Sequence, residues 1–227
     1  NPEHEGGSDI SFSQLLEQLL DIQGEFRLRI SSLEPDTFDD RFFSLLEHPK
    51  MAPQLHLCLQ SGSDRILRAM RRHYDTAAFR EIVARIRDTR PDINLTTDMI
   101  VGFPGEEEAD FEASVDMAQD IGFSHIHTFP YSLRSRTRAA NMPNHVPETV
   151  KAARAARLRR ISAAGKQRYH ESLLGREEHV LIERPYAAAG KAHGYGEHYV
   201  AVHLSDADAM SLQRNQLVRA RLTRPAE

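Results

Sequence analysis

Two loops in this chain combine residue types and spacing that suit ligand binding. The first, Gln60-Ser61-Gly62-Ser63, stands between an apolar strand-like segment, Leu55 to Leu59, and a helical one opening at Asp64-Arg65. Its amide and hydroxyl groups offer donors and acceptors, and Gly62 lets the backbone come close to a ligand. Ser63 suits an N-cap, with Asp64 placed favourably against the helix dipole. In α/β proteins with parallel strands, ligands bind where a strand's carboxyl end meets the next helix. The same four residues equally describe a well-made strand-to-helix turn. The second loop, Gly102-Phe103-Pro104-Gly105-Glu106, follows another apolar run and is too rich in Gly and Pro for helix or strand. A third feature is electrostatic. Lys151 to Arg168 carries seven basic residues and no acidic one, which reads as a solvated face or as a surface that tracks phosphates.

The elements that must position these loops follow from periodicity. Ile10 to Ile22 has a helical apolar face, with Ser11 or Ser13 as a cap, and Gly24 closes it. Phe26 to Ile30 alternates as a strand, Asp36 to His48 is helical, and Leu55 to Leu59 is a strand. The helix after Ser63 pauses near His73, and Thr76 caps a longer one that ends before Pro91. Ile93 to Val101 is a strand, the segment through Ile121 a helix ended by Gly122, and Ser124 to Phe129 a fourth strand. Regular alternation predicts parallel strands joined by right-handed crossovers, hence part of a β/α barrel or an open doubly wound sheet. Four strands are too few to close an eight-stranded barrel, so further strands are expected upstream.

Residues 148–174 are predicted to form one long basic helix broken at Gly165. The remainder changes character. Val180 to Glu183, Tyr199 to Leu204 and Leu217 to Leu222 are short strands separated by the Gly-rich Ala189 to Gly196, which predicts a small antiparallel β-barrel. The expected domains are therefore 1–147, the linker helix 148–174, and 175–227.

Composition is that of an ordinary globular protein: 227 residues, 40% hydrophobic, 27% charged, formal charge -4. No apolar run approaches a membrane span, and the first residues are neither a signal nor a transit peptide. The single cysteine, Cys58, excludes an internal disulfide and cannot by itself hold a metal cluster, and a cytoplasmic setting fits best.

The series RLRISSLEP at Arg27 to Pro35, HLCLQSGSDRILRAMRR at His56 to Arg72, TTDMIVGFPGE at Thr96 to Glu106 and HTFPYSLRSRTRAANM at His127 to Met142 resembles the radical S-adenosylmethionine methylthiotransferases. The last segment is similar to the TRAM domain, the RNA-binding β-barrel that ends those enzymes. The resemblance implies a partial (β/α) radical SAM barrel lacking its first strands, followed by a small all-β TRAM barrel. Phe129-Pro130-Tyr131-Ser132, Arg134 and Ala139 to Met142 most resemble the branch that adds a methylthio group to C2 of N6-threonylcarbamoyladenosine in the tRNA anticodon stem-loop. The isopentenyladenosine-specific branch and the branch acting on a ribosomal protein are relatives, and a non-catalytic RNA-binding protein is an alternative of another kind. Two positions depart from the pattern: Arg136 and Asn215 stand where the family usually has glycine.

In that family one S-adenosylmethionine donates a methyl group to a cluster-bound sulfur and a second yields the radical that abstracts hydrogen from C2. Two [4Fe–4S] clusters take part, one of them on a C-x3-C-x2-C loop. No such loop stands in this sequence. The resemblance therefore implies a C-terminal piece of a larger enzyme, expected to be inactive alone, with no metal ligand of its own and an unknown sulfur donor. By position, Gln60, Ser61, Gly62 and Ser63 would hold polar atoms of S-adenosylmethionine, Asp98 a ribose hydroxyl, and Ile100, Val101 and Gly102 the adenine. Phe129 and Tyr131 would flank cofactor or base, and Asp98 equally suits a buried, satisfied carboxylate. Arg29, Arg71 and Arg72 are candidates for carboxylate or phosphate contacts. Lys151, Arg154, Arg157, Arg159, Arg160, Lys166 and Arg168, with Tyr195 and Tyr199, are the expected RNA contacts. His56, His125 and His127 are expected to be satisfied interior or mouth residues, and Cys58 a small buried hydrophobe.

Overall fold

A computed structural model describes residues 10–35, 38–185, 191–204 and 211–224. Alternation is plain in the first half: α1 (Phe12–Asp21), β1 (Leu28–Leu33), α2 (Asp40–Leu45), β2 (Met51–Leu57), α3 (Asp64–Ala69), α4 (Thr76–Thr89), β3 (Asn94–Val101), α5 (Glu108–Ile121) and β4 (His125–Pro130). The four strands form one parallel sheet in the order β1-β2-β3-β4. Fold class thus follows the expected α/β alternation. Asp36, expected to open α2, and Gly190 in the Gly-rich stretch lie outside the described residues.

Two faces of the sheet have opposite chemistry. Leu55, Leu57, Leu95, Met99 and Val101 point into a core shared with the helices, where Phe79, Val83 and Ile86 of α4 are buried at helical spacing. Each such side chain stabilises the fold by about 1.5–3 kcal/mol relative to exposure. Gln54, His56, Asn94, Thr96 and Asp98, alternating with them, line an open cleft on the other face.

Helix starts are set by side-chain caps. Ser11 and Gln14 form a reciprocal capping box on α1, the Gln14 N–H donating to Ser11 Oγ at 3.2 Å and the Ser11 N–H to Gln14 Oε1 at 2.8 Å. Asp39 caps α2 and also accepts from Ser13 Oγ at 2.5 Å, so one carboxylate joins α1 to α2. The cap of α4 is Asp75 rather than Thr76, its Oδ1 accepting from the Ala78 N–H at 2.8 Å. At α3 the expected capping bond from Ser63 is absent among the described residues, and its hydroxyl instead turns to Asp110, to which it donates.

The basic segment folds as α6 (Glu148–Ser172), unbroken at Gly165. That glycine is a point of contact: a Cβ there would lie 2.2 Å from the Phe123 carbonyl oxygen, where α6 crosses the entry to β4. Beside it, Ser162 Oγ accepts from the Ile126 N–H at 2.8 Å. Beyond α6, β5 (Glu177–Arg184), β6 (Ala192–Tyr195), β7 (Ala201–Leu204) and β8 (Leu217–Arg221) form a second, antiparallel sheet in the order β7-β6-β5-β8. The stretch read as a separator supplies β6. Gly194 is required there, since a Cβ would sit 2.2 Å from the Leu181 carbonyl oxygen on the neighbouring strand.

The second sheet docks on the amino ends of the parallel strands through buried polar groups. His198 lies between Glu178 (Nδ1 to Oε1, 2.5 Å) and Asp92 (Nε2 to Oδ2, 3.2 Å), and Asn94 donates to the His198 carbonyl at 2.7 Å. Burial alone would lower the His198 pKa, but the two carboxylates together raise it.

Candidate functional site

The strand-end loops are held to their helices by internal bonds. Gln60 has φ +64°, and its backbone bridges to β3, the N–H donating to the Asp98 carbonyl and the carbonyl accepting from the Ile100 N–H, each at 2.9 Å. Ser61 is fully buried with its Oγ 3.4 Å from Ser114 Oγ, which also accepts from the Gly62 N–H at 2.9 Å. Ser63 Oγ donates to Asp110 at 2.6 Å, and Arg65 pairs with that carboxylate. A Cβ at Gly62 would meet the Ala113 carbonyl and Ser114 Cα at 2.6 Å. The close approach that the sequence assigned to a ligand is therefore made by α5, and the two serines spend their hydroxyls on it.

The Gly102–Glu106 loop shows the same self-containment. Gly102 has φ +73°, and its N–H donates to Glu106, whose side chain pairs with Arg154 (Nη1 to Oε2, 2.8 Å). Both partners are buried, and burial raises the Glu106 pKa although Gly102 and Arg154 oppose it. Lys151 packs on Gly102 and donates to the Tyr131 carbonyl at 3.0 Å and to Glu148 at 2.5 Å. The continuous basic face expected on α6 is thus corrected. Lys151 and Arg154 lie on its inward stripe with Ala155, Leu158, Ser162 and Gly165, and Arg157 pairs with Glu112. Arg159, Arg160, Lys166 and Arg168 remain exposed. The stripe escaped the sequence reading because small and charged residues stand where Leu or Ile would have marked it.

Open polar groups gather instead in a cleft of about 1080 Å³ bounded by the parallel sheet, α6 and the second sheet. On its floor, His56 Nε2 stands 3.3 Å from Asp98 Oδ1, and His56 Nδ1 3.0 Å from Thr96 Oγ1. Burial lowers the His56 pKa, with the Asp98 carboxylate opposing. His127 packs 5.6 Å from His56 and 4.4 Å from His125, ring centre to ring centre. Phe129 is half exposed at the rim. Tyr195 and Tyr199 stack on each other at 4.7 Å, and the Arg29 guanidinium covers Tyr199 at 3.9 Å. Of the residues expected at a ligand site, the cleft brings together Arg29, Asp98, Phe129, Lys166, Tyr195 and Tyr199. Val101 is buried in the core, and Tyr131 packs edge-on against Phe103 with its hydroxyl shut from solvent and unpartnered among the described residues. Arg72 pairs with Glu34, while Arg71 takes φ +61° at the end of α3. The histidine and carboxylate grouping was missed because three separate strands supply it; each residue alone looked like an interior group.

With this geometry in hand, likenesses to known proteins can be set beside it. Residues 7–118 match the family described as the Radical SAM superfamily. Coproporphyrinogen III oxidase (HemN) from Escherichia coli, a radical SAM enzyme, superposes with a TM-score of 0.54 at 14% identity, covering 67% of this chain and 36% of that one, a likeness of fold. More particular relatives are two proteins named tRNA-2-methylthio-N(6)-dimethylallyladenosine synthase. That of Cereibacter sphaeroides is 41% identical over 213 residues, covering 93% of this chain and 48% of that protein. That of Thermobifida fusca is 44% identical over 179 residues, covering 78% of this chain and 36% of its own length. The chain is therefore similar to radical SAM tRNA methylthiotransferases and spans about half, or less, of the length of these curated relatives.

The class implies S-adenosylmethionine and an iron–sulfur cluster. This chain's residues do not fit a cluster: Cys58 is its one cysteine, buried, with burial and the nearby Asp98 and Glu34 charges pushing the thiol up to about 11. The partly open Asp98 carboxylate and the exposed Phe129 face in the cleft are compatible with a polar aromatic ligand such as S-adenosylmethionine.

Proposed function

We propose that this chain is part of a radical SAM enzyme that adds a methylthio group to C2 of an N6-substituted adenosine in the anticodon stem-loop of tRNA. The observation that carries this reading is 41% identity, extending over 93% of the chain, to a protein named for that chemistry. S-adenosylmethionine supplies the methyl group and the radical in such enzymes; the residues of this chain bind, orient and exclude water. Asp98 would accept from a ribose hydroxyl, Ile100 and its strand neighbours would lie along the adenine, and Phe129 and Tyr131 would flank it. Exposed Arg159, Arg160, Lys166 and Arg168 would contact phosphates, contributing affinity without base choice.

Threonylcarbamoyladenosine is the first reading of the substrate. The Phe129 to Met142 segment supports it, and so does the cleft, where Arg29 and Lys166 suit a substituent bearing a carboxylate. The dimethylallyl form is the second reading, favoured by the names of both relatives. An apolar substituent gains little from a floor of His, Asp and Thr. The two are separated by nucleoside mass spectrometry of tRNA from a strain lacking the full-length gene and from its complemented counterpart. Loss and recovery of methylthio-threonylcarbamoyladenosine alone supports the first reading, and of methylthio-dimethylallyladenosine the second. An unchanged profile in a parent that makes both nucleosides overturns tRNA methylthiolation and turns attention to a ribosomal protein or to RNA binding alone.

A further inference from the structure

We propose that His56, Asp98 and His127 form a binding site for a first-row divalent cation of the zinc type on the floor of the cleft. Strand register builds the grouping. His56 of β2 pairs with Thr96 of β3, and Asp98, two residues further on the same face, pairs with His127 of β4. One ligand atom from each of the three residues lies within 4.8 Å of the others, and the His56 Nε2 to Asp98 Oδ1 separation is 3.3 Å. Metal–ligand bonds of about 2.0–2.2 Å around a tetrahedral ion separate ligand atoms by about 3.4 Å. One edge of the tetrahedron is therefore in place, and His127, exposed at the cleft surface, already brings a ring nitrogen within 4.8 Å of the other two ligand atoms.

The surroundings of His56 are those of an oriented ligand. Its Nδ1 is held at 3.0 Å from Thr96 Oγ1, which Gln54 Nε2 approaches at 3.2 Å, so the other ring nitrogen is aimed at Asp98. Fixing the far nitrogen of a ligating histidine sets its tautomer and direction. The His125 ring stands nearly perpendicular to that of His127, at 83°, and limits its swing. Two imidazoles and one carboxylate suit zinc, iron or nickel better than magnesium or calcium, which prefer all-oxygen shells. Asp98 contributes the negative charge, and the remaining coordination positions face the cleft, where water or a substrate oxygen would complete them.

The test uses the 227-residue chain carrying Cys58→Ser, so that no thiolate competes, stripped with chelator and titrated with zinc by calorimetry and with cobalt(II) by absorption. The expected result is one saturable equivalent per chain and a ligand-field spectrum of low coordination number. Affinity is expected to fall at least about tenfold in His127→Gln, and by about 10–100-fold in Thr96→Val, which removes the hydroxyl that anchors His56 Nδ1 and leaves the three ligand side chains in place. His203→Gln, at another cleft histidine outside the grouping, is expected to bind as the parent does. His127→Gln decides the matter if substitutions at His56 or Asp98 disturb folding, and the thermal unfolding of the metal-free variants checks that. Absence of saturable binding overturns the proposal. So does equal binding by the parent and His127→Gln, or an equal loss in His203→Gln.

Discussion

The strand-end loops and the cleft floor use polar residues in opposite ways. In the loops, Ser61, Ser63 and Glu106 are buried, and Ser114, Asp110 and Arg154 on the adjoining helices take up their hydrogen-bonding capacity. On the floor, Asp98, His127 and Phe129 keep open faces toward solvent. A polar loop at a strand's carboxyl end is thus a scaffold when its groups are spent on neighbouring helices. The groups left for chemistry lie one layer away, in the polar alternation of the strands. Substitutions separate the two roles: loop changes cost stability, whereas a change such as His127→Gln is expected to stay within about 0.5 kcal/mol and to act on ligand binding.

The largest expected effect is at Arg154. Replacing it by Met leaves Glu106 buried and without its cation, and loss of one partner of a buried pair costs about 3–5 kcal/mol. Urea unfolding of Arg154→Met measures this, and adding Glu106→Gln is expected to restore part of it by removing the stranded charge. A double variant no more stable than the single one would show that Arg154 acts through Glu108 or through its packing on Phe111 instead.

Gly62→Ala comes next. With α5 backbone 2.6 Å from the new methyl, the loop or the helix must shift, an overpacking cost of about 1–3 kcal/mol. If the loop's glycine served a ligand instead, the metal-free and ligand-free protein would unfold at the parent's denaturant midpoint.

The docking of the second sheet responds to pH. Because Glu178 and Asp92 raise the His198 pKa above the ordinary 6.5, its charged pairing contributes fully below the unfolded-state pKa and fades as pH rises through the folded one. The stability difference between the parent chain and His198→Gln is therefore expected to be greatest near about pH 6 and to shrink toward about pH 9. A difference that grows with pH would overturn this sign.

How much of this was legible in the sequence differs by layer. Parallel alternation was, because the β-period and α-period runs follow each other with turn signals between them, and the structure has the four expected strands in sequential order. Boundaries moved where tertiary contacts extend an element. β2 starts at Met51, where Arg90, just past the end of α4, donates to the Leu46 and Met51 carbonyls and ties that end of the strand. The inward stripe of α6 was hidden by Lys151 and Arg154, which reach partners 20 and 48 positions away, the Tyr131 carbonyl and Glu106. The Asp92, Glu178 and His198 contact joins residues as much as 106 positions apart and has no local signature.

The smallest expected effects concern the two positions where the family resemblance anticipates glycine. Arg136 and Asn215 both adopt left-handed backbone, φ +70° and +67°, so the departures fall where a Cβ is least welcome. They are not equivalent. That conformation costs an ordinary L-residue about 1–2 kcal/mol, whereas asparagine tolerates it, and glycine gives back about 0.5–1 kcal/mol in chain entropy. Arg136→Gly is therefore expected to raise stability by up to about 1 kcal/mol and Asn215→Gly to change it by a few tenths at most. Chemical denaturation of the two variants side by side checks the ordering. Equal gains would mean that the Asn215 turn carries strain its side chain does not relieve, and a loss at Arg136 would mean that the arginine makes a contact worth more than the backbone it strains.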